Sequence, residues 1–196
     1  MLSKNNTKYF IEISKVIFFR GIIPKMTTID KAILPSKSEL SELGFIKFHL
    51  PFPSEFKEVV NTCNWEVVDQ LVSRYLTKGE ILHSIITHYQ AFNFSEHIIA
   101  IRDAATDEDG IWHDDGSREI AFTWSLNDDD QLEGGELLFR PKSDSSLLEI
   151  ISPPPRETLI IFLTGKSGFE HKVNQVIKGR RKTIAGWCSL EKPLWA

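Results

Sequence analysis

The sequence predicts a mainly β chain with N-terminal helices, an α+β domain whose strands close into a small sandwich or barrel. Three observations predict it. Residues 54–78 carry apolar side chains at helical intervals, and from Glu96 onward the chain turns to short runs rich in Ile, Val, Phe, Thr and Trp between Gly, Pro, Asp and Ser clusters. A length of 196 residues suits one core enclosing a pocket and is too short for two independent cores.

Residues 1 to about 50 mix short apolar runs with the turn formers Gly21, Pro24 and Pro35, which reads as a leader wrapping the domain, with an early strand over Phe45–Leu50. Ser54 is the candidate N-cap of the helical stretch. Phe56, Val59, Val60, Val67, Val68, Leu71 and Leu76 recur at helical spacing until Lys78-Gly79 supplies a stop, with a break expected near Cys63-Asn64. The strand candidates are His97–Arg102, Ile111–His113, Glu119–Leu126, Glu136–Phe139, Leu147–Ile151, Thr158–Leu163, His171–Ile177 and Lys182–Ser189. Closure or double layering of so many short strands removes exposed sheet edges. Residues 1–94 are therefore expected to form a leader and supporting helical region packed on a core of residues 95–196, as one structural domain.

Composition narrows the function. Hydrophobic residues at 41%, charged residues at 26% and a formal charge of -4 describe a globular protein with no global attraction for nucleic acid or an anionic membrane. Glu12, Lys15 and Arg20 interrupt the apolar run Tyr9–Ile23, so neither a membrane span nor a signal peptide is expected. Cys63 and Cys188 make no zinc spacing and no disulfide framework, and a reducing, cytoplasmic compartment is the simplest address.

The chemistry concentrates in His113-Asp114-Asp115, His171 and Arg181. If the segment is extended, successive side chains point to opposite faces, so His113 and Asp115 point one way and Asp114 the other. Two imidazoles and a carboxylate on one face of an octahedral ion leave three adjacent positions open, the arrangement of non-haem Fe(II) oxygenases. His171 is the third ligand expected. No catalytic group beyond the three ligands is expected. Arg181 adds a guanidinium that cannot deprotonate to escape burial and that pairs bidentately with a carboxylate, which suits the far end of a dicarboxylate.

Other features read as structure. Gly165-Lys166-Ser167-Gly168 lacks the first glycine of a phosphate loop and is expected to be a hairpin turn. His49, His83, His88 and His97 lack partners at ligand spacing. Asp128–Asp130 reads as a solvated loop, since no calcium-loop spacing follows. Asp107-Glu108-Asp109-Gly110 also reads as a solvated loop, with a lid or a selector for basic substrates as the alternative.

Several further motifs stand in order: Trp112-His113-Asp114-Asp115, Trp124-Ser125-Leu126-Asn127, Gly134-Gly135-Glu136-Leu137-Leu138-Phe139, Pro153-Pro154-Pro155 before Leu159-Ile160-Ile161-Phe162, His171-Lys172-Val173, Gly179-x-Arg181 and Trp187. In these, residues from about 95 to 187 resemble the catalytic domain of prolyl 4-hydroxylase-type Fe(II)/2-oxoglutarate-dependent dioxygenases. The resemblance implies a double-stranded β-helix, the jelly roll of cupin-like proteins, with iron on His113, Asp115 and His171. It implies that Arg181 receives the 5-carboxylate of 2-oxoglutarate and that Trp187 lies near that cosubstrate. It further implies O2 as co-reactant, ascorbate as a candidate reductant, and hydroxylation of a C–H bond in a peptide, with prolyl residues suggested, or in a small molecule. Ile98–Asp103 lacks the tyrosine that the family often places there, so a second contact to the cosubstrate is unassigned. The competing readings are a non-catalytic cupin-like metal- or ligand-binding protein and a metal-dependent hydrolase or isomerase.

Overall fold

The computed structural model describes residues 34–128 and 131–192. Most of the expected leader, including Tyr9–Ile23, and two residues of the acidic run Asp128–Asp130 lie outside the described residues.

The helical half consists of short pieces set by local signals. Helix α1 (Lys37–Leu43) starts at Ser36, whose hydroxyl accepts from the Glu39 amide, and stops at Gly44 in the left-handed conformation. Strand β1 (Phe45–His49) follows at once. The expected break divides the next stretch into α2 (Ser54–Asn61) and α3 (Trp65–Tyr75). Cys63 has φ +53, which no helix accommodates, and Asn64 caps α3 by accepting from Val67 N. Ser54 is not the N-cap. Pro53 takes that position with no side-chain cap bond, and Ser54 is the first helical residue. Helix α3 ends at Tyr75, before the expected stop at Lys78-Gly79. Helices α1 and α4 (Ile81–Tyr89) have no counterpart among the expected elements.

The β half contains β2 (Phe94–Asp103), β3 (Ile120–Ser125), β4 (Glu133–Gly134), β5 (Leu137–Pro141), β6 (Glu149–Ile151), β7 (Thr158–Leu163), β8 (Phe169–Val173), β9 (Val176–Lys178) and β10 (Arg180–Ser189). One antiparallel sheet runs β1-β7-β3-β10-β2, and opposite it lie β6-β5-β8 and the pair β4-β9. The run expected as one strand over His171–Ile177 is two strands, because β8 pairs with β5 and β9 with β4. Ile111–His113 forms no strand, only a single bridge from His113 to His171.

Alternation along the five-stranded sheet sorts its side chains into two cores. On the outer face Ile120, Phe122, Trp124, Leu159, Ile161, Ile184 and Cys188 pack against the helices. Trp124 is central there, stacked on Phe56 with centroids 4.9 Å apart and donating its indole N–H to the Leu50 carbonyl. On the inner face Ala121, Ile160 and Phe162 meet Leu137, Phe139 and Ile151 of the smaller sheet. Two sheets facing each other across this second core make a jelly-roll-like double-stranded β-helix. Among the described residues no helix is long and apolar enough to cross a membrane.

Candidate active site

The three proposed ligands come from two chain segments that the backbone ties together. His171 lies in the middle of β8. His113 N donates to the His171 carbonyl at 3.0 Å and His171 N to the His113 carbonyl at 2.8 Å, so the two imidazoles sit side by side, with centroids 4.3 Å apart. Asp115 arrives differently from the expectation. Its φ is +58 and that of Gly116 is +66, so the carboxylate reaches the histidines through a left-handed turn, which aspartate tolerates, rather than by strand alternation. Asp114 turns away, pairs with Lys142 and accepts from the Gly116 amide.

The donor set fits an octahedral ion. His113 Nε2 lies 3.6 Å from Asp115 Oδ1, and His171 Nε2 lies 3.7 Å from Asp115 Oδ2. One donor atom from each of the three residues falls within 4.8 Å of the others. Ligands about 2.1 Å from an ion and at right angles are roughly 3 Å apart, so closure on a metal needs only a small contraction. The His113 Nδ1 stands 2.9 Å from the Ile111 carbonyl, a bond that places the proton on Nδ1 and leaves the Nε2 lone pair for the metal. Burial pushes His171 down to about 4, against the opposing pull of the Asp115 carboxylate. Its imidazole is therefore neutral, as a ligand must be. Phe162 packs edge-on against the His171 ring.

Two residues without any sequence signal hold the aspartate. The buried Thr164 hydroxyl lies 2.8 Å from the Asp114 carbonyl and 3.1 Å from Asp115 Oδ2. Arg118 Nη1 donates to the Asp115 carbonyl at 3.2 Å. The stretch Gly165–Ser167 is a short 3-10 helix, where a hairpin turn was expected. Gly165 is required there: its φ is +51, and a Cβ would stand 2.3 Å from the Gly116 and Arg118 carbonyls. Removing the hydroxyl in Thr164→Val should leave the fold intact and weaken metal binding about 10–100-fold, read by competition with a chelator. Unchanged affinity would mean that Thr164 does not orient Asp115.

Arg181 occupies the inner face of β10 and is 4% exposed. Its Nε has no hydrogen-bond partner, and among the described residues no carboxylate pairs with the guanidinium. Burial and the neighbouring Arg102 lower it to about 10, which leaves it a cation at neutral pH. Gly135, with φ +75, makes room, since a Cβ there would lie 3.0 Å from Arg181 Cδ. A buried, unpaired cation is costly unless an anion meets it. Trp187 shares the inner face but stands further along β10, with the Arg118 guanidinium 5.4 Å above its ring.

The acidic loop before His113 exposes Glu108 and Asp109 to solvent but is fastened at both of its aspartates. Asp107 pairs with Arg102 and accepts from Val176 N, and Asp109 pairs with Lys172 and accepts from Gln175 N. These carboxylates fasten the loop to β8 and β9. His97 bonds Asp69 at 3.0 Å, remote from the ligand set.

Comparison with known proteins agrees with this geometry. A family model described as the 2OG-Fe(II) oxygenase superfamily matches residues 85–189, more than half of the chain. Among solved structures, a Pseudomonas putida prolyl-4-hydroxylase is similar at 16% identity and TM-score 0.56, covering 81% of this chain and 92% of that one. A Burkholderia pseudomallei oxidoreductase of the 2OG-Fe(II) oxygenase family is similar at 11% identity and TM-score 0.57, covering 80% and 90%. A Trichoplax adhaerens prolyl hydroxylase, in complex with a hypoxia inducible factor oxygen degradation domain peptide fragment, is similar at 14% identity and TM-score 0.54, covering 79% and 87%. At these identities the likeness is one of fold. No curated protein matches the chain in sequence.

Proposed function

The chain belongs to the 2OG-Fe(II) oxygenase superfamily and is a 2-oxoglutarate-dependent dioxygenase using Fe(II) and O2, and from that premise we propose that it hydroxylates a C–H bond in a peptide, with a prolyl residue the first candidate. The observation that carries the reading is the pairing of the His113, Asp115 and His171 cluster with a buried cation, Arg181, that no carboxylate pairs with among the described residues.

We assign the metal to His113 Nε2, one Asp115 oxygen and His171 Nε2. Arg181 receives the distal carboxylate of 2-oxoglutarate at its buried, charged guanidinium. Trp187 lines the same inward face. Fe(II) bound there supplies a centre at which the keto acid and O2 react, so that decarboxylation to succinate and CO2 accompanies insertion of one oxygen atom into a substrate C–H bond. The chain's own task is positional: Thr164 and Arg118 fix Asp115, the Ile111 carbonyl fixes the His113 tautomer, and Phe162 limits the His171 ring.

A peptide fits the open side. The His113 side chain is 47% exposed. Ile111, two residues earlier, is also exposed, so apolar surface stands beside the ligand set. The Trichoplax adhaerens structure holds a peptide on a similar fold. Residues 34–94 and 95–192 are taken as one structural domain, since β1 is a strand of the main sheet. The two free cysteines suit a cytoplasmic address.

The test supplies Fe(II), 2-oxoglutarate and O2 with a proline-containing peptide library and with the same library carrying alanine for proline. Mass spectrometry should find one oxygen added at proline, with succinate formed in step. Equal stimulation by both libraries would contradict the prolyl assignment.

A further inference from the structure

Arg102 of β2 stands directly opposite Arg181 of β10 in the strand register, which places two guanidinium groups side by side on the inner face of the sheet. Like charges at opposed positions repel, and one carboxylate, Asp107, exerts its field on Arg181 as well. That carboxylate is already engaged. Arg102 Nε donates to Asp107 Oδ1 at 2.8 Å, while Asp107 Oδ2 accepts from Val176 N at 2.7 Å. Arg102 also donates Nη1 to the Val173 carbonyl at 3.2 Å and Nη2 to the Glu108 carbonyl at 2.6 Å. The side chains of both Arg102 and Asp107 are largely buried. Arg102 is therefore engaged by three protein acceptors, while among the described residues no hydrogen-bond acceptor meets Arg181 Nε.

We propose that Arg102 is a positioning residue for the cosubstrate: by holding Asp107 on itself it denies Arg181 an internal carboxylate and keeps that guanidinium open for the distal carboxylate of 2-oxoglutarate. The proposal rests on the assignment of Arg181 to that carboxylate. Without Arg102, the Asp107 carboxylate, whose field already reaches Arg181, loses its own cation and competes with the ligand.

The experiment titrates 2-oxoglutarate calorimetrically into anaerobic, metal-loaded protein, comparing wild type with Arg102→Met, Arg102→Lys, the double variant Arg102→Met/Asp107→Asn, and Arg181→Met. Arg102→Met should raise Kd about tenfold or more, since each tenfold corresponds to the loss of only one modest ion-pair contribution. Arg102→Lys, which still engages Asp107, should stay near wild type. The double variant should recover to within about threefold of wild type, because the competing charge is gone. A purely structural Arg102 predicts the reverse, since the double variant lacks the same hydrogen bonds. Unchanged affinity in Arg102→Met, or a double variant as weak as the single one, overturns the proposal. If Arg181→Met binds as wild type does, the underlying assignment of Arg181 fails instead, and the positioning role falls with it.

Discussion

Asp115→Asn and His171→Ala each abolish 2-oxoglutarate turnover while the protein remains folded. Asparagine tolerates the left-handed conformation at position 115, so the first variant removes charge with little disturbance of the turn. Loss of a direct ligand should weaken metal binding by more than the roughly 10–100-fold expected for an outer partner such as Thr164. The histidine variant carries an additional signature. His171 is buried between Phe162 and His113, so alanine leaves a cavity and lowers stability by about 2–4 kcal/mol. Metal analysis after gel filtration, with a thermal melt, separates the two effects: Asp115→Asn loses metal with a melt close to that of metal-free wild type, and His171→Ala loses both. Stoichiometric metal in either variant would remove that residue from the ligand set.

Arg181→Met weakens 2-oxoglutarate binding and stabilises the ligand-free protein. Truncating one partner of a buried charge pair costs about 2–5 kcal/mol, or roughly 30-fold to several thousandfold in affinity. In the free protein the sign reverses. An unpaired guanidinium at 4% exposure is a liability, and an apolar chain of similar length should raise stability by about 1–3 kcal/mol. Denaturant unfolding with and without 2-oxoglutarate reads both effects. A variant that is less stable in the absence of ligand would mean that Arg181 has a structural partner instead of an open role.

The sequence made the β half, its sheet-forming runs and the ligand residues legible, for physical reasons that differ from place to place. Arg181 was singled out by the Gly-x-Arg register and by the ability of a guanidinium to stay charged when buried, and the structure buries it on the inner face of β10. The structure groups Asp115 with the two histidines by a route that strand alternation does not supply: a left-handed turn closed by Gly116 carries its carboxylate there. Thr164 was invisible because its contact with Asp115 spans 49 residues and it follows a strand that needed no functional explanation. Composition could not reveal that Asp107 and Asp109 of the acidic loop meet Arg102 and Lys172 across the fold. Helix α4 carries a helical period, with Ile81, Leu82, Ile85, Ile86 and Tyr89 on one face and His83, Ser84, Thr87 and His88 on the other, but no side-chain N-cap marks its start.

The central claim is that one metal held by His113, Asp115 and His171 and one cation at Arg181 together make a single 2-oxoglutarate site. Anaerobic titration of 2-oxoglutarate into wild-type protein, with and without one equivalent of Fe(II), tests it most directly. The account predicts one 2-oxoglutarate bound per chain with metal, and binding at least about tenfold weaker without it. Equal affinity in the presence and absence of metal would contradict it.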